Sequence, residues 1–347
     1  MELRERPHPW NDHNGPHDDV IMSCRVRLAR NLAGFPFVNR ASSTQCHEML
    51  RMARRIVLTD DVAPGMIWVD INSATSRDRA LLMERHLISK NFSESSHARA
   101  VAISGDESLS VMVNEEDHLR MQLLRPGLQL EDAFGRINAV DDAIEARLDY
   151  AFSSRWGYLT ACPTNVGTGI RFSVMAHLPA LKITGEIDRV KRAAKDLNLA
   201  VRGYYGEGTD SAGDFYQISN QITLGRSETE LRDEFQKQIL PHIIQYEQES
   251  RQVLVDRNPI LLDDRVHRAL AVLKTARLLG VEEAMKLLSR VRLGLYLRRI
   301  ADVDLDAINR LFLQIQPAHL QLHAESRLSN EEMRQARADL VRSTLGG

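Results

Sequence analysis

The stretch Cys162-Pro163-Thr164-Asn165-Val166-Gly167-Thr168-Gly169-Ile170-Arg171 constrains this chain more than any other. A thiol precedes a proline turn, and a Gly-Thr-Gly loop follows. Arg171 then opens a segment in which Arg171, Ser173, Met175 and His177 alternate with Phe172, Val174, Ala176 and Leu178. That period of two predicts a strand fed directly by the loop. Few purely structural needs place those residue types in that order. Read alone, Cys162 is a small thiol beside a flexible turn. Matching chemistry in distant segments changes that reading.

Other segments carry the same period. Val20 to Leu28 reads as a strand with Arg25 and Arg27 on one face. Ser108 to Val113 is β-rich and runs into the polar turn Asn114-Glu115-Glu116-Asp117, after which His118 to Leu123 alternates. The pattern is a hairpin whose turn carries carboxylates. Ile187 to Leu197 reads as a helix and Leu199 to Arg202 as a strand. Residues 206–213 form a loop with three glycines, of a kind that suits a lid over a site. Ser227-Glu228-Thr229-Glu230 is a capping box opening a long helix, which Pro241 should kink.

From about residue 256 the pattern is helical only. Val266, Ala269, Leu270, Leu273 and Ala276 follow helical spacing, with Gly280 closing the segment. Ile308, Leu311, Phe312 and Ile315 repeat it before Pro317, and Ser329-Asn330-Glu331-Glu332 starts a last helix. A boundary is set at Asp256-Arg257-Asn258-Pro259, dividing the chain into 1–255 and 256–347.

Composition narrows the function classes. At 347 residues size does not limit the core, and 43% apolar with 27% charged residues is ordinary globular usage. A net charge of −2 gives no global reason to bind nucleic acid or an anionic membrane. Cys24, Cys46 and Cys162 are scattered and lack metal-type spacing, which favours a reducing compartment over a disulfide framework. No run approaches the ~18 apolar residues of a membrane span, and the first 20 residues lack a signal-peptide core. The expectation is a soluble, cytoplasmic protein.

The usual nucleotide signatures are missing. There is no P-loop and no G-x-G-x-x-G after a strand, and Asp132-Ala133-Phe134-Gly135 lacks the companion motifs of a protein kinase. Instead, Arg25, Arg27, Arg120, Arg171 and Arg202 stand where strands meet turns. Converging arginines could hold a triphosphate without a P-loop. Carboxylates accompany them: Glu115 and Glu116 in the hairpin turn, Glu207 in the glycine-rich loop. Paired carboxylates suit a planar cation, gripping it and taking its proton as it attacks. A guanidinium is such a cation, with a pKa above ~12 that makes it a poor nucleophile until deprotonated. A thiolate nearby would help polarise the guanidino nitrogen.

Taken in order, Ser23-Cys24-Arg25-Val26-Arg27-Leu28-Ala29-Arg30-Asn31, Asn114 to Arg120, Cys162 to Arg171, and Arg202-Gly203 through Glu207 resemble the successive motifs of the phosphagen (guanidino) kinase family. The resemblance spans about residues 20–250. Within the family the chain is most similar to the bacterial protein-arginine kinases: its first motif begins about 22 residues in, without room for the N-terminal helical domain of arginine and creatine kinases, and an extra helical region follows. Ser219 to Gly225 is also similar to that branch.

The resemblance implies an α/β (α+β) fold, a mostly antiparallel sheet flanked by helices with an all-helical C-terminal domain. It implies a nucleotide site of Ser23, Cys24, Arg25, Val26 and Arg27; His86; Arg120; Arg171, Phe172, Ser173, Val174 and Met175; and Arg202, Gly203, Tyr204, Tyr205, Gly206 and Glu207. The five arginines would hold the ATP phosphates. Glu116 and Glu207 would clamp the substrate guanidinium, one as base, and Cys162 would be the reactive cysteine. The cofactors implied are ATP and Mg²⁺, with no side chain nominated for the metal. The partners implied are proteins bearing exposed arginine and regulatory proteins of the stress-response and protein-degradation type, without nucleic acid or membrane. A homodimer through the helical region is expected. Three departures stand out. Cys24 replaces the usual Ser or Thr, and Asp210 stands where Glu is frequent. Met333-Arg334-Gln335-Ala336-Arg337-Ala338 keeps only the Arg-Ala half of the regulatory R-D-x-x-R-A motif, so an ordinary amphipathic helix is expected there. Two alternatives stay open: a kinase for free arginine, and an adaptor that holds nucleotide without catalysis.

Overall fold

The computed structural model describes residues 14–204, 212–322, 324 and 327–346. Its strands are β1 Ile21–Arg30, β2 Ile67–Asp70, β3 Ala100–Ile103, β4 Leu109–Val113, β5 Leu119–Pro126, the short β6 Phe152–Ser153 and β7 Gly157–Tyr158, β8 Ile170–His177, β9 Leu199–Arg202 and β10 Phe215–Asn220. The helices are α1 Ser43–Val57, α2 Ser76–Glu84, α3 Lys90–Glu94, α4 Leu130–Glu145, α5 Pro179–Ile183, α6 Ile187–Asp196, α7 Glu228–Asp233, α8 Leu240–Arg257, α9 Pro259–Thr275, α10 Val281–Tyr296, α11 Leu305–Gln314, α12 Pro317–Gln321 and α13 Asn330–Thr344.

Eight strands form one sheet in the order β2-β3-β4-β5-β1-β8-β10-β9, and every pairing is antiparallel. The mostly antiparallel sheet flanked by helices is therefore observed, with the helical region following it. Because side chains alternate along a strand, the sheet has two chemically distinct faces. On one face Cys24, Val26, Leu28, Met121, Leu123, Phe172, Val174 and Ile218 pack with residues of α1, α4, α6 and α8, including Met49, Ile137, Ala194 and Ile243, in a single core.

Among the described residues, the apolar cover of the other face lies at its ends. Toward the β2–β4 edge, Val101, Ile103 and Met112 lie under Leu82, Leu87 and Phe92 from α2, α3 and the loop between them. At the far end Met22, Leu124, Met175 and Phe215 pack with Ala269, Leu273, Leu288, Ile308 and Phe312 of the C-terminal helices. A register shift between Ile21 and Ser23 accompanies the turning of Met22 to this side. The C-terminal helices thus share a core with the sheet. Apolar stripes alone could not reveal that partner.

Two local expectations are refined. The capping box at Ser227 forms as read, but the helix is interrupted by a π-type turn at Glu234–Ile239, and α8 begins with Pro241 in its first turn. The wider turn accommodates a residue that has no N–H and crowds the preceding carbonyl. Gly280 does not close a helix: α9 ends at Thr275, where Ala276 is extended, and Gly280 is instead the N-cap of α10.

Candidate active site

The middle of the second face, between its two apolar ends, is where the arginines converge. In the β1–β8 register Arg27 lies opposite Arg171 and Arg25 opposite Ser173. Arg120 pairs with Ala29 across β5–β1, and Arg202 pairs with Gln217, which itself pairs with Met175. Strand parity therefore puts Arg25, Arg27, Arg120, Arg171 and Arg202 on one face of four strands. Their charges act on one another. Arg25 is lowered to about 10 by burial and then by Arg120, Arg171 and Arg202. Arg27 is pushed well down by burial and by the other four. Its Nε and Nη2 are buried without a hydrogen-bond partner. Orphaned cationic donors among like charges are costly, and they fit a multiply charged anion.

The same register settles where the neighbouring residues point. Cys24, Val26, Phe172 and Val174 lie in the opposite apolar core, so their side chains do not line the arginine face. This corrects the expectation that whole segments contribute to the site: a strand offers only alternate side chains to one face. Cys24 is fully buried, its Sγ accepts from Gln129 N at 3.3 Å, and burial pushes its thiol up to about 12. Its departure from Ser or Thr therefore concerns packing. Ser23 is buried, and Ser173 Oγ donates to Arg25 O at 3.3 Å. Met175 joins the core under the C-terminal helices.

His86 reaches the site from the end of α2 in a left-handed conformation, φ +56°. Burial, then Arg25, then His319 lower it to about 3, which keeps the ring neutral at working pH. Gln122 Nε2 of β5 donates to the His86 carbonyl at 2.7 Å.

The carboxylate turn is built by buried polar groups. Asn114 sits at φ +61°, a conformation Asn tolerates, and its Nδ2 donates to Cys46 O at 3.0 Å and Ala98 O at 2.8 Å. Glu115 accepts from Arg120 Nη1 and Ser89 Oγ, both at 2.6 Å. Burial opposes the Arg120 charge, but Glu115, followed by Glu116 and Asp117, outweighs it and raises the guanidinium. Glu116 keeps part of its surface in solvent, and its carboxyl is raised by partial burial and then by Asp117 and Glu115, with Arg120 and Arg171 opposing. Asp117 Oδ1 accepts from Asn31 Nδ2 at 2.6 Å and from Ala161 N at 2.7 Å. His118 accepts from Leu32 N through Nδ1 at 2.9 Å. These bonds tie the turn to the end of β1 and to the residue before Cys162. The sequence reading missed Asn31, Asp117 and His118 as framework, because nothing in a polar turn signals which of its members are buried.

Cys162 is half-buried, with Sγ 3.0 Å from Thr164 Oγ1. Arg171 beyond it is lowered by burial and then by Arg202 and Arg120. The Gly-Thr-Gly loop has a steric reason. A Cβ on Gly167 would meet Thr223 O at 2.3 Å, and one on Gly169 would meet Ala29 O at 2.6 Å, both at positive φ. The glycines let this loop pass against two backbones and bring Cys162 and Arg171 to the same site.

Tyr205, Gly206, Glu207 and Asp210 lie outside the described residues. Gly203 and Tyr204 are buried at the end of β9. In α13, Arg337 is buried and donates to Ile315 O and Leu279 O, both at 2.8 Å, while Ala338 is in the core. Met333 is half-buried and Arg334 exposed. The Arg337 guanidinium is committed to two backbone carbonyls.

Comparison with known proteins points the same way. Residues 58–250 match the family model described as ATP:guanido phosphotransferase, C-terminal catalytic domain, and residues 259–347 match that of the protein-arginine kinase McsB C-terminal domain. A protein-arginine kinase of Symbiobacterium thermophilum is 45% identical over 97% of this chain and 96% of its own. One of Moorella thermoacetica is 42% identical over 99% of both. Among solved structures, the duplicated taurocyamine kinase of Schistosoma mansoni with bound transition state analog components is 27% identical with a TM-score of 0.62, over 72% of this chain. The chain spans about a third (35%) of that duplicated protein. Lombricine kinase shares the fold at a TM-score of 0.57 and 24% identity, over 71% of this chain and 72% of its own.

Proposed function

The chain belongs to the ATP:guanido phosphotransferase family, and from that premise we propose how its own residues carry out the transfer. It is a kinase for arginine in proteins, taking its phosphoryl group from ATP. One observation carries the assignment of the site: Arg27, in the centre of five guanidinium groups, has two buried donors without a partner. A triphosphate supplies both the charge and the acceptors those groups need.

In this proposal Arg25, Arg27, Arg120, Arg171 and Arg202 hold the phosphates, with Ser23, Ser173 and the His86 ring lining the nucleotide side. Mg²⁺ arrives with the phosphates and is assigned no side chain. The substrate arginine lies between Glu116 and Glu207, beside Cys162. Its attacking nitrogen forms a bond to the γ-phosphorus as the bond from that phosphorus to the β–γ bridging oxygen breaks. ADP leaves, and the proton lost from the nitrogen passes to a carboxylate. The Glu116 carboxyl, raised by burial and then by Asp117, suits the role of base, since a higher pKa takes the proton more readily. The arginines neutralise charge that builds on the transferring group, and positioning supplies much of the rest.

Several finer points belong to the same proposal. The free cysteines Cys24, Cys46 and Cys162 support a reducing, cytoplasmic setting. Among the described residues no helix is long and apolar enough to cross a membrane. Functional units of residues 1–255 and 256–347 rest on the change to a helix-only pattern at Asp256-Arg257-Asn258-Pro259, a homodimer on the helical region, and regulatory partners of the stress-response and protein-degradation type on the family resemblance.

The test is incubation with MgATP and either an unfolded protein or free arginine, read by a mass measurement specific for phosphoarginine. Phosphoarginine is expected on the protein. Phosphorylation of free arginine alone overturns the reading.

A further inference from the structure

Two routes of contact lead from the C-terminal helices to the nucleotide side of the site. The first is aromatic. Phe312 of α11 meets Phe215 edge-on, with centroids 4.9 Å apart at 88°. Phe215 leans on Tyr204 at 5.7 Å, and Tyr204 meets the His86 ring edge-on at 5.4 Å. Tyr204 lies two residues after Arg202, and Phe215 opens β10, so their contact joins the two ends of the glycine-rich segment. Edge-to-face contacts are directional, unlike generic apolar packing. Phe312, Phe215 and Tyr204 are all buried.

The second route is polar. Glu84, in the last turn of α2, accepts from Ala318 N at 2.8 Å, His319 N at 3.1 Å and His319 Nδ1 at 2.8 Å. A carboxylate can only accept, so Nδ1 carries the hydrogen. Two residues later His86 holds its left-handed backbone, a conformation that a non-glycine residue keeps only where its surroundings impose it. Gln122 holds the His86 carbonyl, and α12 holds Glu84 two residues before it.

We propose that Phe312 and the Glu84–His319 pair are positioning residues for ATP, by which the C-terminal helices fix His86 and the strand end carrying Arg202 against the nucleotide. This rests on the reading that the arginine face takes the ATP phosphates. The aromatic route runs through the shared core to the His86 ring, by way of Tyr204 two residues after Arg202, and the polar route ends on Glu84, two residues before His86. Displacing such groups weakens nucleotide binding without touching the ground on which the protein substrate lies.

Steady-state kinetics on the full chain, varying ATP and protein substrate separately, test this. Phe312→Ala is expected to raise KM for ATP about tenfold and Glu84→Gln about threefold, with KM for the protein substrate within about twofold of the parent. Phe312→Leu keeps much of the apolar bulk without the ring edge and falls between. Ile308→Ala, on the same helix and in the same core, lowers the melting temperature but leaves KM for ATP unchanged. If Phe312→Ala does not fold, Phe312→Leu and Glu84→Gln carry the test. Parental KM for ATP in those two variants overturns the proposal, as does an equal rise in Ile308→Ala. Arg27→Ala separates the two readings. If it leaves ATP affinity intact, the phosphate site itself is misassigned; if it alone weakens ATP, only the positioning role fails.

Discussion

The two faces of the central sheet are made by the same strands and do opposite things. On β1 and β8, Cys24, Val26, Phe172 and Val174 enter a core closed by helices, while Arg25, Arg27 and Arg171 stand on the other side within one another's field. The apolar face gains stability by removing surface from water. The arginine face gathers like charge and leaves two donors of Arg27 unmet. A sheet can carry such an unfavourable face because the opposite one, and the covered ends of its own, are well packed. Stability and function are separated by a period of two residues.

Substitutions on each face should therefore fail differently. The largest effect is expected from Glu116→Ala, which should lower phosphotransfer by about three orders of magnitude while ATP still binds. Activity close to the parent's would remove Glu116 from the clamp. Phe172→Ala, across the sheet, leaves a hole beside Phe134, whose ring lies 5.7 Å away. It should cost about 3–5 kcal/mol in denaturant unfolding, with ATP affinity of the folded protein unchanged. A loss of ATP affinity at parental stability would erase the distinction between the faces.

The smallest effect is in pH dependence. Glu116 is raised by burial and by Asp117, so activity is present above its pKa and lost as pH falls through it. Asp117→Asn keeps Oδ1, which accepts both hydrogen bonds, and removes the neighbouring charge. The acidic limb of the rate profile should move to lower pH. An unmoved limb would mean that another group sets it.

Much of this was legible in the sequence because alternation is a strong signal. Arg25 with Arg27, and Arg171 with its apolar neighbours, predicted strands whose arginines share a side, and the register confirms the strands and that shared face. What stayed hidden concerns burial and partners. The apolar stripes at Val266 to Leu273 and Ile308 to Ile315 gave helices but not the sheet they cover. Cys24 read as a residue of the phosphate strand and is one by position, yet parity sends its thiol to the other side. Asn31 and Asp117 sat among ordinary polar residues until the fold placed one against the other.

The central claim is that the arginine face holds the ATP phosphates. The direct measurement is ATP affinity together with melting temperature for Arg27→Met. Losing a charge-assisted donor pair should weaken ATP by about 2–3 kcal/mol, roughly a hundredfold. Removing one of five like charges should leave the melting temperature unchanged or higher. Parental ATP affinity in Arg27→Met would contradict the account.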